Sequence, residues 1–337
     1  MSKNQSCNFA KMNKNDEFYT RIEDVEKELS HYTEYFKDKI IYCNCDNPTY
    51  SAFWKYFHLN FSVFKLKKLI STYYNSKCDT VNRLFDIHGN NQSAYKIEYT
   101  GGNDNDIGAG IRTNLKGNGD FRSQECINIL KESDIVATNP PFSLFKEYVT
   151  QLMEYGKKFI IIGHQNAIAY KNIFPYIKDN KIWLGYGFSG NVGFFMNTQY
   201  EDYAKANQHK EGMIRVSGVM WYTNIDTEKQ HQNLVLYKNY TPKEYPKYDN
   251  YNAIEVSKVS EIPCDYNGVM GVPITFLTKY NPEQFIILGA DESTGTGASR
   301  GLFIEGNNIK KATVNGKLKH KRIFIRRKWV VIAYIKI

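Results

Sequence analysis

Residues 134–143, DIVATNPPFS, place a short apolar run directly before the tetrapeptide Asn139-Pro140-Pro141-Phe142. Two consecutive prolines cannot continue a helix, and neither can donate a hydrogen bond within a central strand. The apolar run is therefore predicted to be a buried strand that stops at this tetrapeptide. Because ligands bind at the carboxyl ends of strands in open parallel sheets, the tetrapeptide is expected to lie at a binding site.

Strand-like and helix-like segments alternate through the first half of the chain. Apolar strand candidates lie at 39–45, 67–74, 134–139 and 157–163, and helical apolar spacing occurs at 51–61, 123–131, 144–156 and 166–180. This alternation predicts an α/β fold with a mixed, mostly parallel sheet that helices cover on both faces.

The pattern changes beyond about residue 215, where further strand candidates are joined by loops rich in Pro, Tyr and Asn. These candidates are RVSGVMWYTNI, NLVLYKNY, FIILGA and HKRIFIRRKWVVIAYIKI. Asn315-Gly316 is a signal for a type I′ hairpin turn. We expect two domains, a catalytic domain over 1–230 and a β-rich recognition region over 231–337.

Positive charge is concentrated at the carboxyl-terminal end of the chain. Residues 306–337 hold ten of the 44 Lys and Arg residues and no Asp or Glu, so the preceding 305 residues hold 34 basic and 35 acidic ones. A segregated basic region is typical of proteins that bind a polyanion, most often nucleic acid. The alternative is a solvated terminal hairpin with no partner.

Other features of the sequence exclude several protein classes. The amino-terminal residues are polar and lack the apolar core of a signal peptide, and no apolar stretch reaches the length of a membrane span. Six scattered cysteines are typical of free thiols in a reducing compartment, so a cytoplasmic protein without membrane contact is expected. Cys43 and Cys45 have no second pair at zinc-ligand spacing, and no metal is expected.

The tetrapeptide offers a specific chemistry. The side-chain oxygen of Asn139 and the carbonyl of Pro140 are two acceptors, which Pro140 and Pro141 hold rigidly beside the flat ring of Phe142. An exocyclic amine on a heterocycle is a poor nucleophile, and two acceptors on its hydrogens stabilise the positive charge that develops when it attacks. Transfer of the methyl group of S-adenosylmethionine to such an amine is therefore predicted, with a plain proline turn as the alternative.

Three segments before the tetrapeptide resemble cofactor motifs of amine methyltransferases. They are NDEFYT (15–20), YCNCDNPTYSAF (42–53) and GDFRS (119–123), which resemble the motif that closes over the methionine end, the loop after the first strand and the adenine-contacting motif. The resemblance implies cofactor contacts at Phe18, Tyr19, Thr20, Cys45, Asp46, Asn47, Pro48, Asp120 and Phe121. The acid expected for the ribose hydroxyls is absent, and ISTYYN offers Thr72, Tyr73 and Asn75 instead.

Together these segments resemble the EcoRI-type adenine-specific DNA methyltransferases. KLKKLI, NAIAYKNIFPYIKDNKIWLG, YPKYDNYNAIEV and GVMGVPITFLTKYNPEQF extend the likeness, in the same order, from about residue 14 to about residue 290. The resemblance implies a Rossmann-like, S-adenosylmethionine-dependent enzyme that methylates N6 of adenine in double-stranded DNA, with the base flipped out of the duplex. We expect a monomer, with a cognate restriction enzyme or as an orphan modification enzyme.

The basic region supplies the predicted DNA contacts. Most of its cations are expected to neutralise phosphates, and a minority, preferably arginines, to read guanine edges in the major groove. The predicted DNA-binding residues are Arg300, Lys317, Lys319, Lys321, Arg322, Arg326 and Arg327.

Two alternative functions stay open at this point. The same tetrapeptide geometry serves a glutamine amide in a protein or a base in RNA, so a methyltransferase of another amine is the first. A non-catalytic DNA-binding protein on a methyltransferase scaffold is the second, because the ribose acid and the usual loop glycines are missing.

Overall fold

The computed structural model describes residues 19–45, 47–75, 93–188, 192–196, 213–291, 312–319 and 321–328. The strands in these ranges are β1 (Tyr19–Thr20), β2 (Ile40–Cys43), β3 (Lys68–Tyr73), β4 (Tyr95–Tyr99), β5 (Ile111–Asn114), β6 (Ile135–Thr138), β7 (Lys158–His164), β8 (Trp183–Leu184), β9 (Val192–Met196), β10 (Met213–Ser217), β11 (Val219–Thr223), β12 (Ala253–Glu255), β13 (Val269–Pro273), β14 (Phe285–Ala290), β15 (Thr313–Val314), β16 (Lys317–Leu318) and β17 (Arg322–Arg327). The α-helices are α1 (Ile22–Leu29), α2 (Ala52–Leu59), α3 (Phe61–Phe64), α4 (Gln124–Glu132), α5 (Phe145–Glu154), α6 (Phe174–Lys178) and α7 (Glu228–His231). Short 3₁₀ helices cover Ser30–Tyr35, Gln165–Ala169, Val259–Glu261 and Ile274–Lys279.

The chain groups into two compact units. The first unit comprises residues 1–165 and 185–225, and the second comprises 166–184 and 226–337. The division at residue 230 into a catalytic domain and a recognition region stays a prediction. In the structure, the segment 166–184 groups with the residues after 225.

A mixed sheet forms the centre of the first unit. Seven of its strands lie side by side in the order β5-β4-β3-β2-β6-β7-β11. The pairs β3-β2, β2-β6 and β6-β7 are parallel, whereas β5-β4, β4-β3 and β7-β11 are antiparallel. The prediction of a mixed α/β fold is confirmed, with the parallel strands at the centre of the sheet.

Aromatic side chains dominate the core of the first unit. Seven of its aromatic side chains are no more than 1% exposed and belong to one cluster: Tyr32, Phe36, Phe53, Trp54, Phe57, Phe195 and Trp221. Burying one side chain of this size contributes on the order of 1.5–3 kcal/mol. This packing, together with α1 and α2, holds the parallel strands in place and so fixes the positions of the loops at their ends.

The second unit is rich in strands. Its main sheet has the order β12-β13-β17-β14, and β15 pairs with β16 in a separate hairpin. Asn315 and Gly316 connect the hairpin strands with φ angles of 49° and 71°, the left-handed values that a type I′ turn requires. The hairpin predicted at Asn315-Gly316 is therefore confirmed.

Two strand predictions of the second half were wrong in detail. The predicted segment RVSGVMWYTNI (215–225) falls on two strands, β10 and β11, instead of one, because Gly218 adopts a φ of 77° between them. The segment NLVLYKNY is not a strand: Val235 and Tyr237 are 79% and 66% exposed. The backbone of Leu234 bonds to the side chain of Gln284, at 2.7 Å through its N–H and 2.8 Å through its carbonyl, in place of a neighbouring strand.

Candidate active site

The strand order creates a switch point at β2. The chain passes from β2 to β3 on one side, and later returns through α4 to β6 on the other side. In open α/β sheets the crevice outside the carboxyl ends of two such strands is where ligands bind. The loop after β2 and the Asn-Pro-Pro-Phe tetrapeptide after β6 both begin at this crevice.

The tetrapeptide fills the short connection between β6 and α5. Asn139 is 7% exposed and its Oδ1 atom is fully buried, Pro140 is buried, and Pro141 and Phe142 are half-buried. The carbonyl of Pro141 accepts the N–H of Leu144 at 3.0 Å, which starts the helix. A strand end on one side and a helix start on the other therefore fix the backbone of the tetrapeptide.

Asn44 joins the tetrapeptide to the loop after β2. It is 1% exposed; its carbonyl accepts the Thr138 hydroxyl, and its Oδ1 atom accepts the Tyr148 hydroxyl from α5. Thr138 directly precedes the tetrapeptide in the sequence. The sequence analysis missed Asn44. The only signal for it in the sequence is that a polar residue directly follows the apolar residues of β2.

The loop after β2 turns without the glycines that such loops usually contain. Cys45 adopts a φ of 68°, so a non-glycine residue takes the left-handed conformation. The carbonyl of Asn47 accepts the N–H groups of Tyr50 at 3.0 Å and Ser51 at 2.8 Å, and Ser51 caps α2 by accepting the Trp54 N–H at 3.1 Å. Pro48 is buried in this loop, and the predicted contact Asp46 lies outside the described residues.

The amino-terminal motif lies beside both segments. Thr20 in β1 pairs with Phe195 in β9. The Phe195 ring packs edge-on against the Phe142 ring, with 6.5 Å between the ring centroids and 89° between the ring planes. The ring of Tyr19 lies 5.6 Å from that of Tyr50, in the loop after β2. The structure thus brings Tyr19 and Thr20 near the tetrapeptide, whereas Phe18 lies outside the described residues.

Thr20 carries a buried polar atom that a ligand can satisfy. The residue is 2% exposed, and its hydroxyl makes no hydrogen bond within the described part of the chain. Buried hydroxyls are normally bonded, so such an atom calls for a partner. A cofactor with polar groups at the switch point fits this arrangement.

The predicted adenine-contacting motif is pressed against the end of β3. Gly119 adopts a φ of 79°, and a Cβ there would lie 2.4 Å from the carbonyl oxygen of Tyr73. The Asn75 N–H donates to the Asn118 carbonyl at 2.8 Å. Only glycine allows this approach, which places the motif at the carboxyl edge of the sheet.

Phe121 links this motif to the helix that follows the tetrapeptide. Its ring packs edge-on against the ring of Tyr148 at 5.0 Å, and its carbonyl accepts the Gln151 side-chain N–H at 3.2 Å. Both partners lie on α5. Because Tyr148 also bonds Asn44, the three predicted cofactor segments and the tetrapeptide belong to one contact network.

The Asp120 carboxylate is held in its ionised form by Arg122. Arg122 donates from Nε at 2.9 Å and from Nη2 at 2.7 Å, and it also reaches Glu147 on α5 at 3.1 Å. Burial alone would raise the pKa of Asp120, but the hydrogen bonds from Arg122 outweigh it and lower this pKa. Arg122 was missed by the sequence analysis. Its backbone N–H also donates to Oδ1 of Asp120, at 2.8 Å, so Oδ2 is the oxygen that keeps a second lone pair for a ligand amine.

The close approach at Gly119 yields a first prediction. Gly119→Ala is expected to destabilise the chain by about 1–3 kcal/mol through backbone strain, with a further loss from the clash with the Tyr73 carbonyl. It should also weaken cofactor binding, because Asp120 and Phe121 follow directly. Thermal unfolding and titration calorimetry with S-adenosylmethionine measure the two effects.

Gly156→Ala is the matched control for this prediction. Gly156 also has a positive φ, 61°, but a Cβ there meets no atom within 4 Å. The control should show the strain alone and leave cofactor binding intact. Equal losses in the two variants, or an unchanged cofactor affinity in Gly119→Ala, would contradict the placement of this motif.

The predicted DNA-binding residues lie in the second unit and differ in how they are used. Lys317 and Arg326 are exposed. Two others contact Glu255: the Lys319 ammonium lies 3.5 Å from its carboxylate, and Arg322 binds it through two hydrogen bonds. Lys321 donates to the Asn166 side chain at 3.1 Å, and Arg327 donates to the Cys264 carbonyl. Arg300 lies outside the described residues. The exposed pair is therefore the better placed for a partner.

Two further findings concern only the described part of the chain. No group of three or more His, Cys, Asp or Glu side chains there is arranged to hold a metal ion. Within the same ranges, no helix is long and apolar enough to cross a membrane.

Comparisons with known proteins add to this geometry. The sequence model of the family described as adenine-specific methyltransferase EcoRI matches residues 6–328. The type II methyltransferase M.EcoRI of Escherichia coli is 43% identical, with 96% of this chain and 97% of the relative covered. Two mycoplasma proteins, M.MgeORF184P of Mycoplasma genitalium and M.MpnI of Mycoplasma pneumoniae, are 38% and 36% identical, each with 96% of this chain and 99% of the relative covered. No solved structure matches the chain significantly.

Proposed function

The chain belongs to the EcoRI-type family of adenine-specific methyltransferases, and we propose that it transfers a methyl group from S-adenosylmethionine to N6 of adenine at a specific site in double-stranded DNA. The observation that carries this proposal is the position of Asn139, buried at the carboxyl end of β6 and linked through Thr138 and Asn44 to the loop after β2. The carboxyl end of a strand beside a switch point is where ligands bind in open α/β sheets.

The tetrapeptide activates the target amine by hydrogen bonding. The Asn139 side-chain oxygen and the Pro140 carbonyl accept the two N6 hydrogens, so the nitrogen becomes more tetrahedral and its lone pair is less delocalised into the ring. Both acceptors stabilise the positive charge that develops on N6 during transfer. The proline pair holds them in place before the substrate binds, and therefore little reorganisation is needed.

Phe142 supports the base in this pocket. Its ring packs against Phe195 on one side and is half-buried, so part of it is left for stacking on adenine. A base inside a duplex cannot reach a pocket at a sheet edge, and we propose that it is flipped out of the helix. Stacking on an aromatic ring contributes about 1–3 kcal/mol toward the cost of unstacking.

Residues of three segments would hold the cofactor beside the target. Thr20 offers its buried hydroxyl, the loop from Cys45 to Pro48 offers backbone groups, and Asp120 with Phe121 offers a carboxylate and a ring for the adenine moiety. S-adenosylmethionine supplies an electrophilic methyl group on a sulfonium centre. Tyr19 packs on Tyr50 at the edge of this site and helps to exclude water.

The exposed cations of the second unit are proposed to bind DNA phosphates, which gives a second prediction. Lys317→Gln and Arg326→Gln should each reduce the slope of log affinity against log salt by about 0.9. Filter binding or fluorescence anisotropy over a range of NaCl concentrations measures this slope. The cytoplasm, where DNA is accessible, is the expected compartment.

Lys258→Gln is the matched control, because Lys258 is an exposed lysine of the same unit outside the basic region, with its side chain 73% exposed. For Lys258→Gln, the slope of log affinity for DNA against log salt should equal that of the wild-type protein. If all three variants keep the wild-type slope, the basic region lies away from DNA.

Product analysis tests the proposed reaction. The protein is incubated with tritiated S-adenosylmethionine and, in separate reactions, with duplex DNA, RNA and total protein, and the methylated product is hydrolysed and identified by mass spectrometry. N6-methyladenine from duplex DNA alone is the expected result. A labelled glutamine or RNA base would establish the alternative amine substrate, and cofactor binding without any labelled product would favour a non-catalytic scaffold.

Assembly and biological partners follow from the same proposal. Its relatives are named type II methyltransferases, and we propose that this chain is the modification enzyme of a restriction-modification pair or acts as an orphan. We propose that it works as a monomer, which would methylate the two strands of a site in separate events.

A further inference from the structure

The hairpin of β15 and β16 presents a run of exposed residues at its tip. Asn315, Gly316, Lys317 and Leu318 are all exposed, including a leucine at 39%. The two-residue type I′ turn makes this tip as narrow as a β-ribbon can be. We call residues 315–318 the hairpin tip.

Asp249 holds the turn from outside the hairpin. Its Oδ1 atom accepts the Asn315 N–H at 2.9 Å, and its Oδ2 atom accepts the Gly316 N–H at 2.9 Å. Its own N–H donates to the Thr313 carbonyl at 2.9 Å. The Gly316 N–H lowers the pKa of the Asp249 carboxyl, so this acceptor is ionised at neutral pH. One carboxylate thus fixes both turn residues.

The root of the hairpin is anchored in an apolar cluster of the second unit. Ala312 and Val314 are 0% and 5% exposed and belong to a cluster with Tyr248, Tyr251 and Phe324. The Lys319 N–H donates to the Ala312 carbonyl at 2.7 Å and closes the root. A tip that is fixed at both its root and its turn loses little conformational entropy when it meets a partner.

The chemistry of the hairpin tip suits base edges better than phosphates. Neutral side chains also bond phosphate oxygens, but charge supplies most of the affinity for the DNA backbone, and the tip offers one cation beside one carboxamide and one apolar side chain. A carboxamide can bond both N6 and N7 of adenine, and an apolar side chain can contact the methyl group of thymine. Asn315 also serves the type I′ turn, and its carboxamide and the Leu318 side chain are the neutral groups that the tip exposes to a partner.

We propose that the hairpin tip enters the major groove of the DNA substrate and reads base identity there, with Asn315 as the base-contacting residue and Asp249 as its positioning residue. This inference rests on the proposed function of the chain as a DNA methyltransferase. The major groove, about 12 Å wide, admits a two-stranded β-ribbon, whereas the minor groove at about 6 Å does not. Lys317 provides the positive charge that favours approach to the duplex.

Asn315→Gly tests the reading role without disturbing the turn. Glycine adopts the φ of 49° without strain, so the hairpin is kept while the carboxamide is removed. The site methylated by the wild-type protein is first mapped, and kcat/KM is then measured on duplexes with that site and with every single base-pair substitution of it. Discrimination at one or two base pairs should fall about ten-fold, while affinity for unrelated DNA and the melting temperature stay at wild-type values.

Asp249→Asn tests the positioning role. The amide keeps one acceptor and loses the other, so one turn N–H is left without its partner. Discrimination should fall at the same base pairs as in Asn315→Gly, and the double variant should be no less selective than Asn315→Gly alone. Asn252→Ala removes another exposed carboxamide of the second unit and should leave discrimination unchanged.

The outcomes separate this inference from the proposed function. An active wild-type enzyme whose Asn315→Gly variant discriminates as well as the parent overturns the reading role alone. A loss spread evenly over all positions of the site also overturns it, since that is the signature of a phosphate contact. A folded, cofactor-bound wild-type protein that methylates no DNA overturns the proposed function and the inference together.

Discussion

Replacing Asn139 with alanine is expected to lower kcat about 10²–10³-fold while the affinity for S-adenosylmethionine stays near its wild-type value. The variant removes one of two acceptors for the target amine, and the loss of one preorganised hydrogen-bonding group in an active site costs about 2.7–4 kcal/mol at the transition state. The cofactor segments keep their contacts through Asn44, Tyr148 and Phe121, which the substitution does not touch. Single-turnover methyl transfer and titration calorimetry measure the two quantities.

Asn114→Ala is the matched control for Asn139→Ala. Asn114 is an exposed asparagine on the edge strand β5 of the same unit, and its removal should change neither quantity. Turnover in Asn139→Ala at the wild-type rate would contradict the role of the tetrapeptide. A joint loss of turnover and cofactor affinity would mean that Asn139 supports the fold of the site instead of the transferring amine.

The second large effect is expected at Arg322, which the sequence analysis assigned to DNA. Its guanidinium donates to Glu255 at 3.0 Å from Nε and 2.5 Å from Nη2, and the side chain of Glu255 is only 1% exposed. Arg322→Ala would leave a buried carboxylate without its principal partner, which typically costs about 3–5 kcal/mol. The loss should be seen as a lower midpoint of urea unfolding, in the transition that reports on the second unit.

Two further variants separate this structural role from DNA binding. Arg326→Ala removes an exposed arginine from the same strand, and its stability should lie within about 0.5 kcal/mol of the wild-type value. The pair Glu255→Gln with Arg322→Met removes both charges and should recover much of the stability lost in Arg322→Ala. If Arg322→Ala is as stable as the wild-type protein but binds DNA weakly, then Arg322 is a DNA contact after all.

Local patterns with a direct physical cause were predictable from the sequence. The prolines at 140 and 141 require a strand to end, and Asn315-Gly316 is one of the few pairs that both take left-handed φ angles, so the site loop and the hairpin could be located in advance. The apolar run in NLVLYKNY was misleading, because a strand needs a neighbouring strand, and the backbone of Leu234 bonds to the Gln284 side chain instead. Pairing between distant segments is not encoded in local periodicity.

The same distinction applies to the residues of the site. Asn139 could be found because its neighbours are unusual, but Asn44 acts through contacts with Thr138 and Tyr148, about a hundred positions away along the chain. Arg322 was predicted to contact DNA because basic residues surround it, and the structure shows that it also has a partner within the chain, Glu255, in a distant segment. Charge in a sequence predicts a partner, but only the fold shows whether that partner is internal.

Mapping of modified bases in living cells tests the central claim most directly. The chain is expressed in a host that lacks DNA methylation, beside the Asn139→Ala variant, and modified adenines are read by single-molecule sequencing. N6-methyladenine confined to one short sequence motif, and absent in the variant, is the predicted result. An unmodified genome with a folded, cofactor-bound protein would contradict the account.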